Sequence, residues 1–150
     1  MATITPTLTI TANAAGAATT PGPSSSAISL SVTDALTVDT LQSGTVTPTA
    51  TVGLLFDGRS FDVVSETAGL NGAFLYLKNT SPSEHDVYIG IEADGGTPTE
   101  LQGAADAQRL FTLKQNEFAF FPYDYTMDIT VDAEHATATL EYMMFNRSNA

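Results

Sequence analysis

Residues 71–96 read NGAFLYLKNTSPSEHDVYIGIEADGG, and the period of this stretch decides the fold class. Asn71-Gly72 is a turn signal, and Phe74-Leu75-Tyr76-Leu77 follows it as an apolar, aromatic-rich run. Val87, Ile89 and Ile91 then alternate with Tyr88, Gly90 and Glu92 until Asp94-Gly95-Gly96 stops the pattern. A period of two, β-branched and aromatic residues, and bounding turn residues together mark strands rather than helices.

The same grammar extends in both directions. Upstream, Asp57-Gly58 predicts a hairpin turn between Val52-Gly53-Leu54-Leu55-Phe56 and the strand Phe61–Ser65. A Thr/Val stretch over residues 44–56 is interrupted by Pro48, and Leu36, Val38 and Thr40 alternate before it, as do Ile28, Leu30 and Val32. Downstream, the acidic and small residues 94–108 read as a loop with at most one short helical turn. Strands are then expected over Leu110–Leu113, Glu117–Phe121, Met127–Val131 and Thr137–Phe145. In the last of these, Ala136, Ala138, Leu140, Tyr142 and Met144 share one face. About nine short strands without a βαβ pattern predict an all-β, antiparallel β-sandwich, jelly-roll-like.

Composition divides the chain. Residues 1–56 hold no Lys or Arg, only Asp34 and Asp39 as carboxylates, and 14 Thr. Within them, Thr3, Thr5, Thr7, Thr9 and Thr11 alternate with Ile4, Pro6, Leu8 and Ile10. That is a strand whose proline confines it to an edge or to one-sided pairing. Residues 12–26, rich in Ala, Gly, Pro and Ser, read as a linker. The expected organisation is an extended Thr/Ala-rich arm with linker over 1–26 and a sandwich body over 27–150. An arm with free backbone groups can add to a neighbour's sheet, which makes Thr3, Ile4, Thr5, Thr7, Leu8, Thr9 and Ile10 candidate partner-binding residues. An ordinary first strand of its own sandwich is the alternative.

Charge excludes several function classes. There are 17 Asp+Glu against 5 Lys+Arg, a net charge of −12, and no basic run. Nucleic acids and anionic membranes are repelled by such a surface, so neither is expected as a partner. Charged residues are only 15% of the chain, with Thr, Ser and Ala in their place, which suits a surface covered by neighbouring subunits. There is no cysteine, so disulfides and thiolate chemistry are out. The first residues show neither the basic nor the apolar region of a signal peptide, and no window is long enough for a membrane helix.

Chemistry-bearing constellations are few. His85 and His135 lie fifty positions apart in polar segments and read as exposed turn residues. No Gly-x-Ser-x-Gly elbow accompanies them, and neither has a second ligand at metal-binding spacing. Asp124, Asp128, Asp132 and Glu134 cluster in sequence but lack calcium-loop spacing, so a solvated acidic rim is expected. Asn79-Thr80-Ser81 and Asn146-Arg147-Ser148 match the glycosylation pattern by chance. No catalytic residue, metal or cofactor follows from any of these. The densest aromatic cluster, Phe118-Ala119-Phe120-Phe121-Pro122-Tyr123-Asp124-Tyr125, reads as a core strand ended by Pro122. Its flanking Tyr123 and Tyr125 are the candidate interface aromatics.

Ala73-Phe74-Leu75-Tyr76-Leu77-Lys78-Asn79-Thr80, then Val87-Tyr88-Ile89-Gly90-Ile91, then Asn116-Glu117-Phe118-Ala119-Phe120-Phe121-Pro122 resemble the body of virion structural proteins of tailed bacteriophages. Small capsid-decorating (cement) proteins are the nearest comparison, over roughly residues 54–145. The resemblance implies a non-enzymatic subunit, made in the host cytoplasm and residing in the virion. It further implies self-association, with a trimer favoured, and binding to a major capsid protein or other virion subunits. A carbohydrate-binding β-sandwich is the second reading, and a small hydrolase or cupin-like enzyme the third.

Overall fold

In the computed structural model, the described residues are 2–11, 29–33, 36–57, 73–93, 95–97, 101–102, 108–123 and 127–147. They form eleven strands and no helix: β1 (Ala2–Ile4), β2 (Thr7–Thr11), β3 (Ser29–Thr33), β4 (Leu36–Val46), β5 (Gly53–Phe56), β6 (Ala73–Asn79), β7 (Val87–Ala93), β8 (Arg109–Leu113), β9 (Phe118–Tyr123), β10 (Met127–Ala133) and β11 (Leu140–Arg147). The chain divides into two compact units, Met1–Val38 and Asp39–Ala150.

In the first unit the alternating N-terminal stretch is two strands, broken on either side of Pro6. β1 pairs antiparallel with the start of β4, Ala2 opposite Val38 and Ile4 opposite Leu36. β2 pairs antiparallel with β3, from Thr7 opposite Thr33 to Thr11 opposite Ser29. Residues 29–33 and 36–38, expected in the body, therefore supply the partners of the N-terminal strands. The expected linker, 12–26, lies outside the described residues.

The second unit is a β-sandwich of two four-stranded antiparallel sheets, in the orders β4-β11-β6-β9 and β5-β10-β7-β8. The eight strands pair first with last, second with seventh, third with sixth and fourth with fifth. Between the sheets lies the core: Phe56, Leu75, Leu77, Val87, Ile89, Ile129, Val131, Leu140 and Met144 are all buried. β6 alternates strictly, with Ala73, Leu75, Leu77 and Asn79 inward and Phe74, Tyr76 and Lys78 outward. In β11, Leu140, Met144 and Tyr142 join the core as the period requires, together with Ala138 just before the strand. Ala136 is exposed in the preceding turn and leaves that face.

Two boundaries differ from expectation. The alternation from Leu36 runs unbroken to Val46, so β4 absorbs the start of the Thr/Val stretch, and the chain leaves the ladder just before the buried Pro48. Pro122 does not end its strand: β9 continues to Tyr123, and Pro122 sits opposite Phe74. β9 is the last strand of its sheet, so Pro122 can direct its missing N–H away from β6 without costing a ladder bond. The expected strand at Phe61–Ser65 lies outside the described residues.

The centre of the outward face of the β5-β10-β7-β8 sheet is not left to solvent. Asp128, Thr130 and Asp132 all point outward from β10, yet each is buried. Residues 101–102 lie across Thr130 and Asp132. The Asp132 carboxylate accepts from the Leu101 N–H (3.3 Å) and from Gln102 Nε2 (2.8 Å). Gln102 Nε2 also donates to the Ala133 carbonyl at 3.0 Å. Leu101 itself is fully buried, and Gly90 makes room for it: a Cβ there would stand 2.6 Å from Leu101 Cδ2 and 2.7 Å from Thr130 Oγ1. Asp128 accepts the Gly95 N–H at 3.2 Å. The acidic rim expected at Asp128 and Asp132 is thus a buried, hydrogen-bonded clasp for the chain's own loop. Carboxylates can be buried there because backbone and amide donors meet them.

Candidate functional site

The other outward face is built differently. In the β11-β6-β9 part of its sheet, the registers place Glu141, Lys78 and Phe118 in one row, Met143, Tyr76 and Phe120 in the next, and Phe145, Phe74 and Pro122 in the third. Seven of these nine outward positions are apolar or aromatic. Phe118 is 59% exposed and Phe120 38%. The rings organise one another: Phe74 stacks on Phe120 with centroids 5.8 Å apart, Tyr76 meets Phe118 at 6.1 Å, and Phe145 approaches Phe120 edge-on at 6.4 Å. Offset and edge contacts of this kind fix ring orientation, so the patch is preformed. Its two charges, Lys78 and Glu141, are directly opposite and of opposite sign. The patch is therefore locally neutral in a chain of net charge −12.

This face was legible in part. β6, β9 and β11 carry apolar residues at both parities of the period, which marks strands covered on both sides. Reading the 118–125 cluster as a core strand hides that signal. The structure splits it: Ala119, Phe121 and Tyr123 turn inward, while Phe118, Phe120 and Pro122 turn outward. Tyr123, expected at an interface, is a core residue, 5% exposed, with its hydroxyl donating to the Met127 carbonyl at 2.6 Å and its ring 6.5 Å from Phe56. Tyr125 lies outside the described residues. Of the arm candidates, Thr3 and Ile4 lie on β1, and Thr7, Leu8, Thr9 and Ile10 lie on β2, both paired within the chain; Thr5 lies exposed between them.

A second constellation was missed because its members are far apart in sequence. Three connections converge at one end of the sandwich: β6 to β7, β10 to β11, and the β8–β9 turn. Asn79 is fully buried and clamps the β6–β7 connection to the end of β8, donating to the His85 carbonyl (2.7 Å) and the Leu113 carbonyl (2.8 Å) while accepting the Ser81 N–H (3.0 Å). This buried role contradicts any reading of Asn79 as a glycan acceptor. The Thr80 N–H donates to the Thr139 carbonyl at 2.9 Å, the Thr139 N–H donates to Ser81 Oγ at 3.0 Å, and the Glu134 N–H donates to the Asp86 carbonyl at 3.1 Å. Lys114, from the β8–β9 turn, reaches Asp86 at 3.5 Å. In that turn Asn116 adopts φ 65°, a left-handed conformation asparagine tolerates. The stitching brings His85 and His135 into ring contact, with centroids 4.2 Å apart and planes inclined by 38°. His85 is half-buried and His135 exposed, so the pair is not the two separate turn residues expected.

Among the described residues, no group of three or more His, Cys, Asp or Glu is arranged to hold a metal ion. Two open grooves border the sandwich. One of about 500 Å³ is lined by Phe111, Leu113, Phe118 and Ala119, and one of about 240 Å³ by Val46, Pro48, Leu54 and Leu55. Thr112, Asn116 and Glu117 complete the first wall and Thr47, Thr49 and Thr51 the second, so among the described residues Glu117 is the one acid–base side chain on either. Compared with known proteins, the chain matches no family model, no curated protein and no solved structure.

Proposed function

We propose that this chain is a non-enzymatic structural subunit that works by assembling, and that the aromatic outer face of β6, β9 and β11 is the surface it buries against a second copy of itself. One observation carries the reading: a preformed, locally neutral aromatic patch on an otherwise acidic and charge-poor chain. Apolar patches of this kind, with aromatic residues enriched, are what subunit contacts use. Elsewhere two copies of a strongly acidic chain repel; here the facing rows carry one Lys and one Glu and meet without net repulsion.

The nested strand pairing supports a jelly roll, an architecture used by capsid subunits and by lectins alike. Fold alone does not choose between them. The composition and the resemblance of residues 54–145 favour the capsid side: a decoration subunit of a virion, binding its own copies and the major capsid protein. Phenylalanines ringed by few hydrogen-bonding groups suit a protein contact better than a sugar.

Light scattering over a range of concentrations tests this. The wild-type chain is expected to associate, with a trimer the favoured state, and Phe118→Ser with Phe120→Ser is expected to be monomeric with an unchanged circular dichroism spectrum. A wild-type chain that stays monomeric at every concentration, or a double variant that associates as before, overturns the assignment of this face.

A further inference from the structure

The histidine pair carries an inference independent of the subunit reading. We infer that His85 and His135 form a two-imidazole chelating site for a divalent transition cation of the Cu²⁺, Ni²⁺ and Zn²⁺ group.

Imidazole nitrogens suit these borderline ions, at about 2.0–2.1 Å for zinc. Two nitrogens bound to one such ion stand roughly 3.3 Å apart, from that bond length and a tetrahedral angle. Rings already 4.2 Å apart at their centroids bring their nitrogens into this range by side-chain rotation alone. His135, exposed, is free to make that rotation.

The backbone beneath the pair is fixed. The His85 carbonyl is held by buried Asn79, the His85 N–H donates to the Ser83 carbonyl at 2.7 Å, and the Ala138 N–H donates to the His135 carbonyl at 3.0 Å. The two connections are joined through Glu134 and Asp86 between the histidines and the β7–β10 ladder. Little ordering entropy is therefore left to oppose binding, and preorganisation of this kind favours affinity. The protein supplies two ligands and leaves the remaining coordination positions to water, so the site is open and exchangeable.

Carboxylates on the same connections, Glu84 and Asp86 beside His85 and Glu134 beside His135, add a negative field that favours a cation. Lys114, paired with Asp86, is the opposing charge from the β8–β9 turn. Hard cations find no oxygen cage here, so calcium and magnesium are excluded from the site.

Binding should be read by titration calorimetry and by the thermal midpoint from circular dichroism, using NiCl₂, CuCl₂ and ZnCl₂, with CaCl₂ and MgCl₂ as controls. The expected result is one transition ion bound per chain and a rise in midpoint, since the ion joins two loops in the folded state only. Calcium and magnesium should produce neither. His135→Ala, at an exposed position, should weaken binding at least tenfold while leaving the metal-free midpoint near wild type. No heat and no shift with any of the three ions overturns the proposal. So does binding that survives His85→Ala with His135→Ala, which would place the ion on carboxylates instead.

Discussion

The two outward faces of the sandwich solve one problem in opposite ways. At the centre of the β5-β10-β7-β8 sheet the outward residues are Asp132, Thr130 and Gly90, and the chain covers them with its own Leu101 and Gln102. On the other sheet seven of the nine outward positions are apolar or aromatic, and Phe118 and Phe120 are exposed. Polar side chains ended up buried on the first sheet, and two phenylalanines, Phe118 and Phe120, exposed on the second. A cover supplied by the same chain can be specific, one hydrogen bond per polar group, because it is present whenever the chain folds. A cover supplied by another molecule is absent part of the time, and the face must then tolerate water. Aromatic rings held by one another do so without leaving orphaned donors or acceptors.

Removing the clasp is the strongest way to break this comparison. Leu101→Ala leaves a cavity over Gly90 and Thr130 and is expected to cost about 3 kcal/mol in urea unfolding. A cost below about 1 kcal/mol would mean that the loop is an ornament on that sheet. Gly90→Ala presses on the same contact from beneath, with a Cβ 2.6 Å from Leu101, and an intermediate loss of about 1–2 kcal/mol is expected. On the open face the prediction reverses. Phe118→Ser with Phe120→Ser should cost the monomer's folding stability only about 1 kcal/mol per site, the worth of the ring contacts with Tyr76, Phe74 and Phe145. A large loss would mean the rings belong to the fold, not to a partner.

The smallest effect concerns one tyrosine on each face. Tyr76, on the open face, has its phenol pKa raised from 10.0 by burial and then by Glu141. Tyr88, on the covered face, is raised by burial and then by Asp86 and Glu134, against the opposing Arg109 that lies over its ring at 5.3 Å. Both folds favour the neutral phenol. Their contribution is complete below pH 10 or so and is lost as pH rises through the raised folded values. Phenolate absorbance should show Tyr88→Phe and Tyr76→Phe each removing a late-titrating group, and each variant should lose slightly less stability above pH 10 than wild type. If association covers Tyr76, its ionisation should move further upward with protein concentration while that of Tyr88 stays put.

Period two made the sandwich legible: β6, β7 and β10 lie where Phe74, Val87 and Met127 place them. What periodicity cannot carry is which face of a strand is covered, and by what. Asp128 and Asp132 look like solvated acids until a loop thirty residues away supplies their donors. Phe118 and Phe120 look like core because Phe121 and Tyr123, their neighbours, are core. The histidine pair is the clearest case. Fifty positions of sequence separate two rings that a strand ladder and one buried asparagine set side by side.

Pairing first strand with last has a further consequence, in the order of events during synthesis. β11 sits inside its sheet, between β4 and β6, although it is made last of the strands described. Until it emerges, β4 and β6 have open ladders on the sides that face each other, and the core lacks Leu140 and Met144. Contacts so distant along the chain make folding slow and late. The β5-β10-β7-β8 sheet has all its strands by Ala133, but its inner face lacks its full partner until β11 closes the other sheet.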